Sequence, residues 1–161
     1  PEAQFGCTQG VLRTRVGFAA STEAIEVVFD PRRGSYEELL QIYWQHTMQG
    51  VVIFNEKQKL LAEESKKQHP GRAMYISKDT SFTPAGTAHQ KYILQRNKDV
   101  FSALKLTTEE QIMNSTPAAR LNGFVAGFGC VAQLDKEWKM FGISDEAVYK
   151  RVRQLCGRRR R

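Results

Sequence analysis

Gly10-Val11-Leu12-Arg13-Thr14-Arg15-Val16-Gly17-Phe18 and Glu23-Ala24-Ile25-Glu26-Val27-Val28-Phe29 are neighbouring runs with a period of two. In the first, Leu12, Thr14, Val16 and Phe18 alternate with Val11, Arg13, Arg15 and Gly17. In the second, Ile25, Val27 and Phe29 share one side, and Ala24, Glu26 and Val28 the other. Alternation of this kind places successive side chains on opposite faces of a strand. Asp30 and Pro31 close the second run, because proline donates no ladder hydrogen bond. Strands joined by so short a connection pair antiparallel.

Beyond this pair the period changes to that of a helix. Ser35 can cap a first turn while Glu38, three residues on, reaches back to complete a capping box. Tyr36, Leu39, Leu40, Tyr43 and Trp44 then fall on one apolar stripe. Val51 to Phe54 is a continuous apolar run, as in a strand covered on both faces. Asn55 with Gln58 caps a helix reaching about Gln68, which His69, Pro70 and Gly71 end. Ala73 to Ser77 reads as a short strand and Thr80 to Gly86 as a loop. Helices are expected near Thr87 to Asn97, Val100 to Leu104, Thr108 to Met113 and Ser144 to Leu155, with the glycine-rich stretch Gly123 to Gly129 separating them. The order strand, strand, helix, strand, helix, strand fits an α+β fold, a ferredoxin-like α/β sandwich.

With 161 residues, 41% of them hydrophobic and 25% charged, the chain has the make-up of one globular domain. No window supplies the 18 or so uncharged apolar residues of a membrane span. Its first residue is Pro1 rather than Met, so the expectation is a chain that starts inside a longer product. Of the formal charge of +7, Arg158, Arg159, Arg160 and Arg161 supply four, leaving +3 for the rest. That arginine run is either a solvated tail or a contact for an acidic partner, and nucleic acid is conceivable only there. Cys7, Cys130 and Cys156 are too few and too irregularly spaced for a disulfide framework or a zinc site, which favours a reducing compartment, cytoplasm or mitochondrion. No metal or cofactor is expected.

Several of these stretches, taken in order, resemble the A-type peptide methionine sulfoxide reductases, particularly the animal members. They are Pro1 to Gly6, Gly10 to Phe18, Glu23 to Pro31, Ser35 to Trp44, Val52 to Ser65 and His89-Gln90-Lys91-Tyr92, with a looser match over Ala119 to Phe124. The resemblance implies an MsrA-type sandwich over 1–129, followed by a helical C-terminal extension with a basic tail over 130–161. It also implies a reaction. A thiolate attacks the sulfoxide sulfur, an acid protonates the departing oxygen, and another thiol resolves the sulfenic acid. By that match Glu23 is the acid, either protonated in an apolar pocket or standing at a strand edge in water. Cys130 or Cys156 would resolve.

The family nucleophile, in Gly-Cys-Phe-Trp a few residues before the position of Pro1, is not in this sequence. Cys7 falls near the end of the family's first helix, where a partly buried thiol is expected rather than a relocated nucleophile. The family's Gly-Gly and its following loop are collapsed to Ala19-Ala20-Ser21. Its loop and tyrosine-bearing segment after Trp44 are reduced to Gln45 to Gly50, and its Glu-x-Tyr-His becomes Gly86-Thr87-Ala88-His89. His89, with Tyr92 and Ile93 nearby, reads as a packed or surface histidine rather than a base. The pattern points to a non-catalytic MsrA-like domain acting as a structural or assembly subunit within a protein complex. The alternative is an active reductase of methionine sulfoxide served by a thioredoxin-type reductant.

Overall fold

In the computed structural model, which describes residues 1–158, a short helix α1 (Glu2–Cys7) leads into β1 (Val11–Ala19) and β2 (Thr22–Phe29). The two strands pair antiparallel, with Val16 opposite Ile25 and Phe18 opposite Glu23. Ala20 and Ser21 turn the chain with φ of 45° and 69°. A two-residue turn of this hand matches the strand twist but holds both residues in left-handed backbone, at about 1–3 kcal/mol each for residues other than glycine.

Next come α2 (Tyr36–Gln45), β3 (Gly50–Val52), α3 (Glu56–Lys67) and β4 (Tyr75–Ser77). The expected order of strands and helices is therefore found. The Ser35–Glu38 capping box forms on both sides, and Asn55 accepts from the Gln58 amide. The β3 and β4 strands pair parallel as a sheet of their own. The run expected to be covered on both faces is only partly so: Ile53 is buried, whereas Phe54 is 67% exposed. Val51 of β3 packs against the α2–α3 cluster, whereas Phe54 lies beyond the end of the strand. The stretch expected as a loop supplies β5 (Thr83–Pro84), which adds to β1 at Gly17 and Phe18.

Downstream lie α4 (Tyr92–Arg96), α5 (Lys98–Ala103), α6 (Glu109–Asn114), α7 (Thr116–Val125), α8 (Val131–Glu137) and α9 (Glu146–Leu155). The helix expected over Thr87 to Asn97 is broken. A 3-10 turn covers Thr87–His89, and Lys91, with φ 48°, separates it from α4. Gln90 and Lys91 both turn inward, and Gln90 bonds the N–H and C=O of Val16 at 2.9 Å each. Satisfying these buried polar groups outweighs one more helical turn.

Helix α7 runs into the glycine-rich stretch expected to separate helices. Glycine disfavours helix, but packing decides here: every residue from Ala118 to Val125 is buried. A Cβ at Gly6 would meet the Ala119 carbonyl, and one at Gly123 would meet Cys7 Cβ. The two glycines are thus the contact points at which α1 and α7 cross.

Among the described residues the core has three parts. Phe5, Val11, Leu39 and Ile42 join α1 and α2 to the β1–β2 pair. Leu40, Tyr43, Trp44, Ala62 and Met74 join α2 and α3 to the β3–β4 sheet. The largest gathers Leu94, Val100, Leu121, Phe124, Leu134, Phe141, Val148 and Val152. Residues after 129 therefore share a core with those before it. The architecture is mixed α+β.

Candidate functional site

Glu23 stands on β2 one residue past the turn, opposite Phe18. Its side chain is exposed, and Phe18 across from it is 43% exposed. Of the two placements left open by the sequence, the water-facing strand end is the one found.

The three cysteines gather near the C-terminal end of α1, where Cys130 and Cys156 contribute to the electrostatic surroundings of the Cys7 thiol. Cys7 is 3% exposed. A Cβ added at Gly129 would lie 2.5 Å from Cys7 Sγ, so the sulfur is pressed against the turn that precedes Cys130. Cys156 Sγ donates to the Phe128 carbonyl at 3.6 Å. Burial pushes the Cys7 thiol up to about 12; Arg120 works against this, while Cys156, Glu137 and Cys130 reinforce it. A nucleophilic thiol needs the reverse, a lowered pKa and access to solvent.

Beside the thiols, Arg120 makes a two-pronged pair with Glu137, Nε to Oε2 and Nη2 to Oε1 at 2.8 Å each. Its remaining nitrogen donates to the carbonyls of Gly6, at 2.9 Å, and Thr8. One guanidinium thereby ties α1, α7 and α8 together. Gln133 adds a bond to the Cys7 carbonyl at 3.2 Å.

A second buried polar group was not singled out in the sequence. Glu2 Oε1 accepts from Thr14 Oγ1 at 2.9 Å and lies 3.0 Å from Lys91 Nζ, while Oε2 accepts from the Lys91 amide at 2.9 Å. Lys91 Nζ also donates to the Thr14 carbonyl at 2.5 Å. The Lys91 side chain is wholly out of solvent, and burial lowers its pKa against the pull of Glu2. Its signal was present but ambiguous: Glu2 and Lys91 both lie in segments that carry the family resemblance, yet either would ordinarily be read as a surface charge.

His89 is exposed, and Tyr92 is 54% exposed. Of the packed and surface placements expected for His89, the surface one is found, while Ile93 packs against the core and the break at Lys91 sends Gln90 and Lys91 inward. Among the described residues no group of histidine, cysteine and carboxylate side chains could hold a metal ion. No helix there is long and apolar enough to cross a membrane. Two surface recesses stand out. One, about 590 Å³, lies between α3 and β4 and is lined by Lys66, Lys67, Met74 and Tyr75 among others. The other, about 220 Å³, is lined by Lys150, Arg153 and Gln154 on α9. Neither includes Glu23 or a cysteine. Arg158 folds back to donate from Nε to the Gln154 carbonyl at 2.6 Å, and Arg159, Arg160 and Arg161 lie outside the described residues.

A peptide methionine sulfoxide reductase of Drosophila melanogaster is 32% identical over 89% of this chain and 70% of its own length. Peptide methionine sulfoxide reductase A5 of rice is 29% identical over 78% of this chain, which spans 63% of that protein. A protein named peptide methionine sulfoxide reductase MsrA in Methanococcus maripaludis is 26% identical over 63% of this chain and 88% of its own. No protein-family model matches the chain.

Proposed function

The chain belongs to the peptide methionine sulfoxide reductase MsrA family, and on that premise we propose that residues 1–161 form a non-catalytic scaffold domain of this family, serving as a structural or assembly subunit. In this reading 1–129 is an MsrA-type ferredoxin-like sandwich, and 130–161 is an extension sealed onto it by the Arg120–Glu137 pair.

The observation that carries the reading is Cys7. The thiol nearest the start of the chain is sealed under Gly129 and pushed up to about 12. Lifting an oxygen from a sulfoxide requires a thiolate that can reach the substrate sulfur, and a protonated, covered thiol does neither. Glu23 supports the same reading, since its side chain stands exposed at the start of β2.

The test is turnover. The purified 161-residue chain is expected to leave a methionine-S-sulfoxide peptide unreduced in the presence of dithiothreitol. Reduction that Glu23→Gln abolishes would overturn the proposal.

A second reading is an active methionine sulfoxide reductase fed by a thioredoxin-type reductant, and the gathering of sulfurs around Gly129 favours it. Here a nucleophilic thiol outside residues 1–161 would take the oxygen as a sulfenic acid, Glu23 would donate the proton, and Cys130 or Cys156 would close a disulfide with loss of water. A longer product of the same reading frame that carries a cysteine before Pro1, and turns over only with it, would establish this reading.

A further inference from the structure

The parallel β3–β4 sheet has two strands, so β4 has β3 on one side and an open edge on the other. The Tyr75 amide donates to the Gln49 carbonyl at 3.0 Å, and the Ser77 carbonyl accepts from the Ile53 amide at 2.9 Å. Backbone groups alternate in direction along a strand. With Tyr75 and Ser77 turned to β3, the N–H and C=O of Ile76 face away from it. Ile76, and Met74 and Lys78 on either side of the strand, make no backbone hydrogen bond to a described residue.

Against that edge lies the recess of about 590 Å³ between α3 and β4. Its lining includes no residue of β3, which places it on the open side. Met74 and Ile76 give it an apolar wall, since Met74 is 3% exposed and both pack in the α2–α3 cluster. Tyr75 points to the other face of the strand and is 72% exposed. The charges on the rim are unequal. Glu63 lies 3.9 Å from Lys59, and Lys67 lies 3.4 Å from Glu64. Lys66 is exposed and has no carboxylate partner among the described residues.

We propose that this recess is a docking site for an extended segment of a partner protein, which adds to the open edge of β4 as a third strand and carries apolar residues at alternate positions with one carboxylate in line with them. Unpaired edge groups are met by another extended backbone, whereas a helix has already used its own N–H and C=O groups internally. Alternate side chains of such a strand share one face and meet the Met74–Ile76 wall. The carboxylate meets Lys66. Tyr75 supplies an aromatic neighbour for a cross-strand pair on the other face. The recess lies apart from Glu23 and the cysteines, so its occupancy does not depend on whether the domain reduces a sulfoxide.

The probe is a fluorescein-labelled peptide, Thr-Val-Thr-Val-Thr-Glu-Thr, whose valines and glutamate share one face when extended. Its anisotropy should rise on titration with the 161-residue chain. N-methylation of the peptide at alternate residues should abolish binding for the set of amides that faces β4 and spare it for the other set. Lys66→Gln should weaken binding about threefold and leave the affinity of a peptide with Gln in place of Glu unchanged. Ile76→Pro removes the outward N–H without removing a bond to β3, and should weaken binding about tenfold. A thermal melt reports whether that variant is folded; if it is not, the two N-methylated peptides decide. No binding at about 0.5 mM chain would overturn the proposal. So would equal effects of the two N-methylated sets, or a Lys66→Gln loss that is the same for the Glu and Gln peptides. A dimer in sedimentation that Ile76→Pro dissolves would also overturn it, by making a second copy of the chain the occupant.

Discussion

At the scale of single residues, Lys91 and Cys7 stand where their chemistry is least at ease, and in each case the fold compensates. Lys91 is wholly buried with φ of 48°, yet its ammonium has Glu2 and the Thr14 carbonyl as partners. Removing one member leaves the other charged and unpaired out of water. Lys91→Met and Glu2→Gln are therefore each expected to lower stability by about 3–5 kcal/mol. The double variant Glu2→Leu/Lys91→Leu should recover part of that loss; urea denaturation checks both. Cys7 makes a pH prediction. Its folded pKa lies near 12 against an ordinary 9.0, so above pH 9 the unfolded chain releases the proton that the folded protein keeps. Its contribution is fully present below pH 9 and is lost as pH rises toward 12. Stability should fall from pH 8 to pH 10.5 more steeply in the parent than in Cys7→Ala. At pH 8, iodoacetamide should label the half-buried Cys130 well before Cys7.

At the scale of elements, caps were readable because they are local. Ser35 with Glu38 lies within one turn of helix, and nothing distant can change that geometry. Ser35→Ala should cost about 1 kcal/mol. The β1–β2 pair was readable for the same reason, as two alternating runs with a short join. Its turn is the weak point: Ala20 and Ser21 both take positive φ, where Asn and Gly are preferred. Ala20→Asn/Ser21→Gly should raise the melting temperature by several degrees, corresponding to about 1 kcal/mol. Differential scanning calorimetry measures it, and a lower melting temperature would mean that Ala20 and Ser21 make contacts that the turn geometry does not reveal. Element boundaries failed where distant groups intervened. The break at Lys91 answers to Glu2, 89 positions away, and α7 persists through Gly123 because every residue from Ala118 to Val125 is buried, with Cys7 so close that only glycine fits at 123.

At the scale of the whole molecule, the segment after 129 belongs to the largest of the three core clusters and is clamped by the buried Arg120–Glu137 pair. A chain ended at Gly129 would uncover Leu121, Phe124 and Val125 and strand the Arg120 charge. It should lose its cooperative unfolding transition, which near-ultraviolet circular dichroism would register, whereas removal of Arg159, Arg160 and Arg161 alone should leave that transition in place.

Period and capping chemistry, both set by residues within a few positions of each other, determined the α+β order and the β1–β2 pairing, while the family followed from the resemblance of several stretches, taken in order, to known members. The segments that carry that family likeness also hold Glu2 and Lys91, although nothing local marks the two as partners. Tertiary structure alone decided that Cys7 is sealed beneath Gly129, that Glu23 faces water, and that three cysteines spread across the chain meet at one turn. Burial and electrostatic neighbourhood depend on which distant surfaces come together. Those quantities, more than residue type, set whether a thiol or a carboxylate can react.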